Sequence, residues 1–124
     1  PRGVLELILH ASRTAYPNEF GGLLRGEGTD IKEVILLPGT IQGDKHAIFR
    51  LHMLPIDSKA IGGVHSHPSR NNRPSQADLN FFKKVGNVNL IVAYPYQGIT
   101  DIQAYDSEGN VIGLVVKEGE REGI

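Results

Sequence analysis

"GGVHSHPSRNNRPSQADL" (residues 62–79) places two histidines one residue apart and an aspartate eleven positions after the second. Successive side chains on a strand point to opposite faces. On a strand running up to Pro68, His65 and His67 therefore share one face and Ser66 takes the other. Pro68 ends that strand, and the polar loop "SRNNRP" follows. Ser75-Gln76-Ala77-Asp78 then matches a capping box, in which a carboxylate at the third helical position reaches back to the amide of the cap residue. Two readings of Asp78 stand side by side. It caps a helix and does nothing more, or the helix dipole keeps it ionised and it ligates a metal. The histidines divide the same way. They are two imidazoles satisfied by hydrogen bonds, or the start of a transition-metal site.

The rest of the chain supplies a fold around this stretch. Its 124 residues suggest one domain, 1–124. A chain of that size buries about two-thirds of the surface its unfolded form exposes. Residues 4–16, "VLELILHASRTAY", place Val4, Leu5, Ile8, Leu9, Ala11 and Ala15 on one stripe at helical spacing, and Pro17 closes the helix. "FGGLLRG" and "IKEVILL" read as strands about the turn "GEGTD", and "HAIFRL" as a third. A short helix is expected near 53–60. "IGGVHSH" is a strand, Ser75 opens a helix to about Val85, and "VNLIVAY" is a strand of buried type. "DIQAYD" and "VIGLVV" flank "SEGN" as a hairpin. The glycine-rich charged tail at 117–124 is expected to fray. The sum is an α/β domain of about seven strands with two or three flanking helices.

Composition removes several classes of function. Charged residues make up 22 % and the net charge is −1, which leaves no footprint for nucleic acid or an anionic membrane. No apolar run approaches the roughly 20 residues of a membrane span. A soluble, cytoplasmic protein is the expectation. With no cysteine, thiolate nucleophiles, disulfides and cysteine-ligated zinc are all excluded. A transition metal could draw only on carboxylates and five histidines. His10, His46 and His52 read as surface or hydrogen-bonded residues with no metal spacing.

Two histidines and one carboxylate are too few for a closed structural zinc, but they suit a catalytic one that keeps a position for water. The same donor set also serves mononuclear iron(II) oxygenases. A zinc hydrolase needs a general base as well. Glu19, in "PNEFGGLLRG" between the first helix and a strand, is the candidate, unless it is a solvated residue beside a turn. Arg70 and Arg73 lie in the loop next to the ligands. They could meet acidic groups of a partner, or be solvated cations.

Taken together, Pro17-x-Glu19-x-x-Gly22-x-Leu24-x-Gly26, His65-x-His67-Pro68 and Ser75-x-x-Asp78 resemble the JAMM motif of the zinc-dependent MPN domain isopeptidases. The likeness implies a single MPN domain with a curved mixed sheet. It implies one Zn2+ per chain with a catalytic water, ligated by His65, His67 and Asp78. Glu19 would activate the water, and the Ser75 hydroxyl would donate to the oxyanion of the tetrahedral intermediate. The implied substrates are conjugates of small ubiquitin-like modifier proteins, cut after the C-terminal Gly-Gly. The modifier tail would lie along a sheet edge in a narrow groove. The chain leaves no room for the insertions with which eukaryotic deubiquitinating relatives recognise paired ubiquitins. A minimal, prokaryotic or archaeal type is therefore implied. Relatives of that type also process sulfur-carrier proteins, and others are non-catalytic scaffolds. The scaffolds lose ligands that are all present here. Small size and exposed sheet edges suggest a homodimer.

Overall fold

The computed structural model describes residues 2–36 and 60–116. Helix α1 spans Arg2–Ala15. Ile8 and Leu9 are buried on its apolar stripe. Ser12 is buried one turn further on and returns its hydroxyl proton to the Ile8 carbonyl at 2.8 Å. The helix stops two residues short of Pro17, whose ring disfavours helical geometry in the residue before it.

Strands β1 (Gly21–Glu27) and β2 (Asp30–Leu36) form the expected antiparallel hairpin about Gly28 and Thr29. Strand β3 (Ala60–His67) runs antiparallel to β1. Helix α2 (Gln76–Val85) then carries the chain over to β4 (Asn89–Ala93), which lies parallel to β3. A 3-10 turn at Ile99–Asp101 leads into β5 (Ile102–Tyr105), and β6 (Val111–Ile112) closes the sheet. The order is β2-β1-β3-β4-β5-β6. Among the described residues this is a mixed sheet of six strands with two helices. The strand expected at 46–51, the short helix expected near 53–60, His46, His52 and the tail 117–124 all fall outside them, save that Ala60 opens β3.

Strand β6 is shorter than the apolar run "VIGLVV" implied. Only Val111 and Ile112 pair, with Tyr105 and Ala104. Gly113, with no side chain to pack on a strand, follows at once.

The sheet is covered on both faces, as a parallel βαβ unit requires. Leu90 and Val92 of β4 join Ile8, Leu9, Leu24 and Val64 in the core beneath α1. Ile91 points the other way and packs with Phe81, Phe82 and Tyr105 beneath α2. Phe81 and Phe82 each contribute about 1.5–3 kcal/mol of burial free energy.

The glycine pair in β3 sets how closely α2 and β4 approach. A Cβ at Gly63 would run into the Phe81 ring, and one at Gly62 into the Val88 carbonyl. Bare backbone at these positions lets α2 lie directly on the strand that carries both histidines. Gly62→Ala and Gly63→Ala are each expected to lower stability by about 1–3 kcal/mol or more, as overpacking does. Gly62→Ala is expected to cost the more, because main chain cannot swing aside. Urea unfolding midpoints measure the effect, and unchanged midpoints would contradict this account of the packing.

Candidate metal centre

His65 sits mid-sheet, with Gly21 opposite it on β1 and Ile91 on β4. It is 2 % exposed. His67 is the last residue of β3, half-buried, on the same face. Their Nε2 atoms approach to 3.1 Å. Asp78, 1 % exposed, comes to them from the first turn of α2. One carboxylate oxygen, Oδ1, lies 3.1 Å from His65 Nε2, and the other, Oδ2, lies 3.5 Å from His67 Nε2.

The capping box is also present. Ser75 is the N-cap, its Oγ accepts from the Asp78 amide at 3.1 Å, and its own amide donates to Asp78 Oδ2 at 2.8 Å. The two readings of Asp78 are thus not alternatives. Oδ2 closes the helix cap while Oδ1 faces His65.

The donor set fits zinc. Zinc bonds to histidine nitrogen and carboxylate oxygen are about 2.0–2.2 Å, which separates tetrahedral ligand atoms by about 3.3–3.5 Å. The three contacts above bracket that spacing. His65, His67 and Asp78 offer ligand atoms that all lie within 4.8 Å of one another. No other group of three or more such residues occurs among the described residues. His10 is exposed on α1 and takes no part.

Electrostatics agree with the geometry. Burial alone would raise the Asp78 carboxyl, but hydrogen bonds from His65 and His67 and the Ser75 amide hold it far below the carboxylate range. Burial alone would lower His67. Its bonds to Asp78 and to the Asn71 carbonyl, with the charges of Asp78 and Glu19, carry it upward instead. A carboxylate kept ionised beside two imidazoles is a metal-binding constellation.

Glu19 is half-buried, and its charge is felt at both His67 and Tyr96. A short joint puts it there. The Phe20 amide donates to Ser66 Oγ at 2.8 Å, and the Ser66 amide donates back to the Phe20 carbonyl at 2.9 Å. Ser66 is the residue between the two histidines, so its neighbour across this joint is fixed beside Glu19. The serine that alternation turns to the other face of β3 is buried and ties the Glu19 segment to the ligand strand.

Two further contacts hold His67. Its Nδ1 lies 2.9 Å from the Asn71 carbonyl, and the Tyr96 hydroxyl donates to its backbone carbonyl at 2.8 Å. Burial, helped by Tyr16 and Glu19, pushes the Tyr96 phenol up to about 12, so it stays a proton donor at physiological pH. Nothing local in the sequence singled out Ser66, Asn71 or Tyr96. Arg70 is exposed and lies over the Tyr94 ring, 5.6 Å from its centroid. Arg73 is exposed in the same loop.

Residues 1–108 match the family of prokaryotic homologs of the JAB domain. A protein of Haloferax volcanii described as a probable metalloprotease is 39 % identical over 126 residues, which cover 94 % of this chain and 77 % of that one. A solved structure described as JAMM, a metalloprotease-like zinc site in the proteasome and signalosome, superimposes with a TM-score of 0.73 at 36 % identity, covering 94 % of each chain. A JAB1/MPN domain protein from Archaeoglobus fulgidus gives 0.72 at 38 % identity, over 94 % of this chain and 96 % of that one. Motif, sheet and ligand geometry converge with these likenesses on one conclusion: the chain belongs to the JAMM/MPN metalloprotease family, among the prokaryotic homologs of the JAB domain.

Proposed function

We propose that this metalloprotease hydrolyses the isopeptide or peptide bond that follows the C-terminal Gly-Gly of a ubiquitin-like modifier. The observation that carries the reading is the convergence of His65, His67 and the buried Asp78 carboxylate, with the charge of Glu19 acting on the same histidine. Zinc bound by these three residues supplies Lewis acidity and a water acidified from a pKa of 15.7 toward about 7.

The chain's own groups do the rest. Glu19 takes the proton of the attacking water and returns it to the departing amine. Ser75 Oγ accepts from the Asp78 amide, and its O–H proton remains available to donate to the oxyanion of the tetrahedral intermediate. A Gly-Gly tail has no side chains, so it can lie as an added strand close to the sheet. Arg70 and Arg73 on the loop beside the ligands are placed to meet acidic groups of the modifier or its conjugate. The bond cut is the same whether the modifier marks proteins or carries sulfur. A cytoplasmic enzyme acting on such conjugates is the setting we infer, consistent with the lack of any membrane-crossing helix among the described residues.

The direct test incubates the protein with ubiquitin-like modifier conjugates and with sulfur-carrier precursors from the same cell, and reads the products by mass. Cleavage after Gly-Gly that a zinc chelator stops and added zinc restores is expected. No cleavage of any Gly-Gly substrate by zinc-loaded protein would overturn the reading. Glu19→Gln is expected to keep its zinc and lose about 10²- to 10⁴-fold in rate, the usual contribution of general acid–base catalysis. Asp78→Asn keeps an oxygen for the cap but loses the charge. Metal content measured after dialysis is expected to fall, and unchanged content would leave Asp78 a cap only. Ser75→Ala is expected to cost about 0.5–2 kcal/mol of stability through the lost cap. It is also expected to cost about 10²- to 10³-fold in rate, as a missing oxyanion donor does. A normal rate in a destabilised protein would confine Ser75 to the cap.

A further inference from the structure

His65 and His67 differ in how the fold supports them. His65 is flanked by strands on both sides. His67 pairs only with Ala93 of β4, because the β1 ladder starts at Gly21 opposite His65. Its main chain therefore lacks a β1 partner, and it stands at the C-terminal end of β3. One tyrosine hydroxyl bonds to its carbonyl, and another to the loop that its ring meets.

The Tyr96 hydroxyl donates to the His67 carbonyl at 2.8 Å. The Tyr96 ring is 1 % exposed, and its backbone holds a φ of 60°, which non-glycine residues rarely adopt. Its carbonyl accepts from the Arg13 guanidinium of α1 at 2.6 Å. Such a conformation persists only where its surroundings over-determine it. On the ring side, His67 must carry its proton on Nδ1 if Nε2 is to offer a lone pair to a metal. The Asn71 carbonyl, 2.9 Å away, receives that proton. The next carbonyl, that of Asn72, accepts from the Tyr105 hydroxyl at 2.7 Å. Tyr105 is 4 % exposed on β5, with its ring stacked on Phe82 at 5.7 Å.

We propose that Tyr96 and Tyr105 are positioning residues that clamp His67, one through its carbonyl and one through the loop that receives its ring proton, and so hold Nε2 where zinc needs it. This rests on the zinc reading of His65, His67 and Asp78. A purely structural role, in which two buried hydroxyls merely find acceptors, predicts a loss of stability alone. The clamp predicts a loss of metal affinity that stability does not explain.

The test uses the full chain as Tyr96→Phe, Tyr105→Phe and, as a control, His10→Ala, a substitution on the exposed side of α1. Zinc affinity is measured by competition with a chromophoric chelator, and the melting temperature is measured on metal-free protein. The visible spectrum of the cobalt(II)-loaded form reports ligand geometry. Each clamp variant is expected to bind zinc about 10- to 100-fold more weakly, the range for lost outer partners of a ligand, and to shift its cobalt bands. His10→Ala is expected to match the wild type in both. Wild-type affinity in both clamp variants, or an affinity loss that only tracks the metal-free melting temperature, would overturn the clamp. If Tyr96→Phe does not fold, Tyr105→Phe decides by the same criteria. Wild-type protein that takes up no zinc would bring down the metal reading itself, before any variant is compared.

Discussion

A single carboxylate serves two structures here. Asp78 Oδ2 accepts the Ser75 amide and so closes the first turn of α2, while Oδ1 faces His65. A helix N-terminus is a favourable place for negative charge, because its amides lack intrahelical partners. The carboxylate is therefore kept ionised and rigid by the helix before any metal arrives. The cost of burying an ionised group is met by two imidazoles and a backbone N–H. Helix formation and ligand placement share one residue, each through its own carboxylate oxygen.

The ligands also depend on how closely the helix lies on the sheet. Gly62 and Gly63 strip side chains from β3 where Val88 and Phe81 pass over it. Phe81 is one turn along from Asp78, so the seating of that ring sets the height of the carboxylate above the histidines. From the other side, Ser66 and Phe20 join the Glu19 segment to the same strand through two hydrogen bonds. Glu19 and the two histidines are thus referred to one strand rather than to separate loops.

Much of this was legible in the sequence because it depends on neighbours along the chain. Alternation put His65 and His67 on one face. Ser75 and Asp78 announced the helix start, and the run 88–94 announced a strand covered on both faces. The hairpins at 28–29 and 107–110 followed from their turn residues. What the sequence left open was long-range. Tyr96 and Tyr105 reach His67 and Asn72 across 29 and 33 positions, and no periodicity encodes that meeting. The choice between cap and ligand at Asp78 was likewise undecidable locally, since both demand the same residue at the same position. The overlong reading of β6 failed for a related reason. A strand is made by its pairing, and only Val111 and Ile112 find partners on β5.

The loop between β3 and α2 meets His67 and Tyr105 through the main-chain carbonyls of Asn71 and Asn72. Peptide oxygens are the same whatever side chain the residue bears. Arg70 and Arg73 stand exposed on this same stretch. The rim of the site can therefore exchange its outward residues while the donors below keep an unaltered cradle.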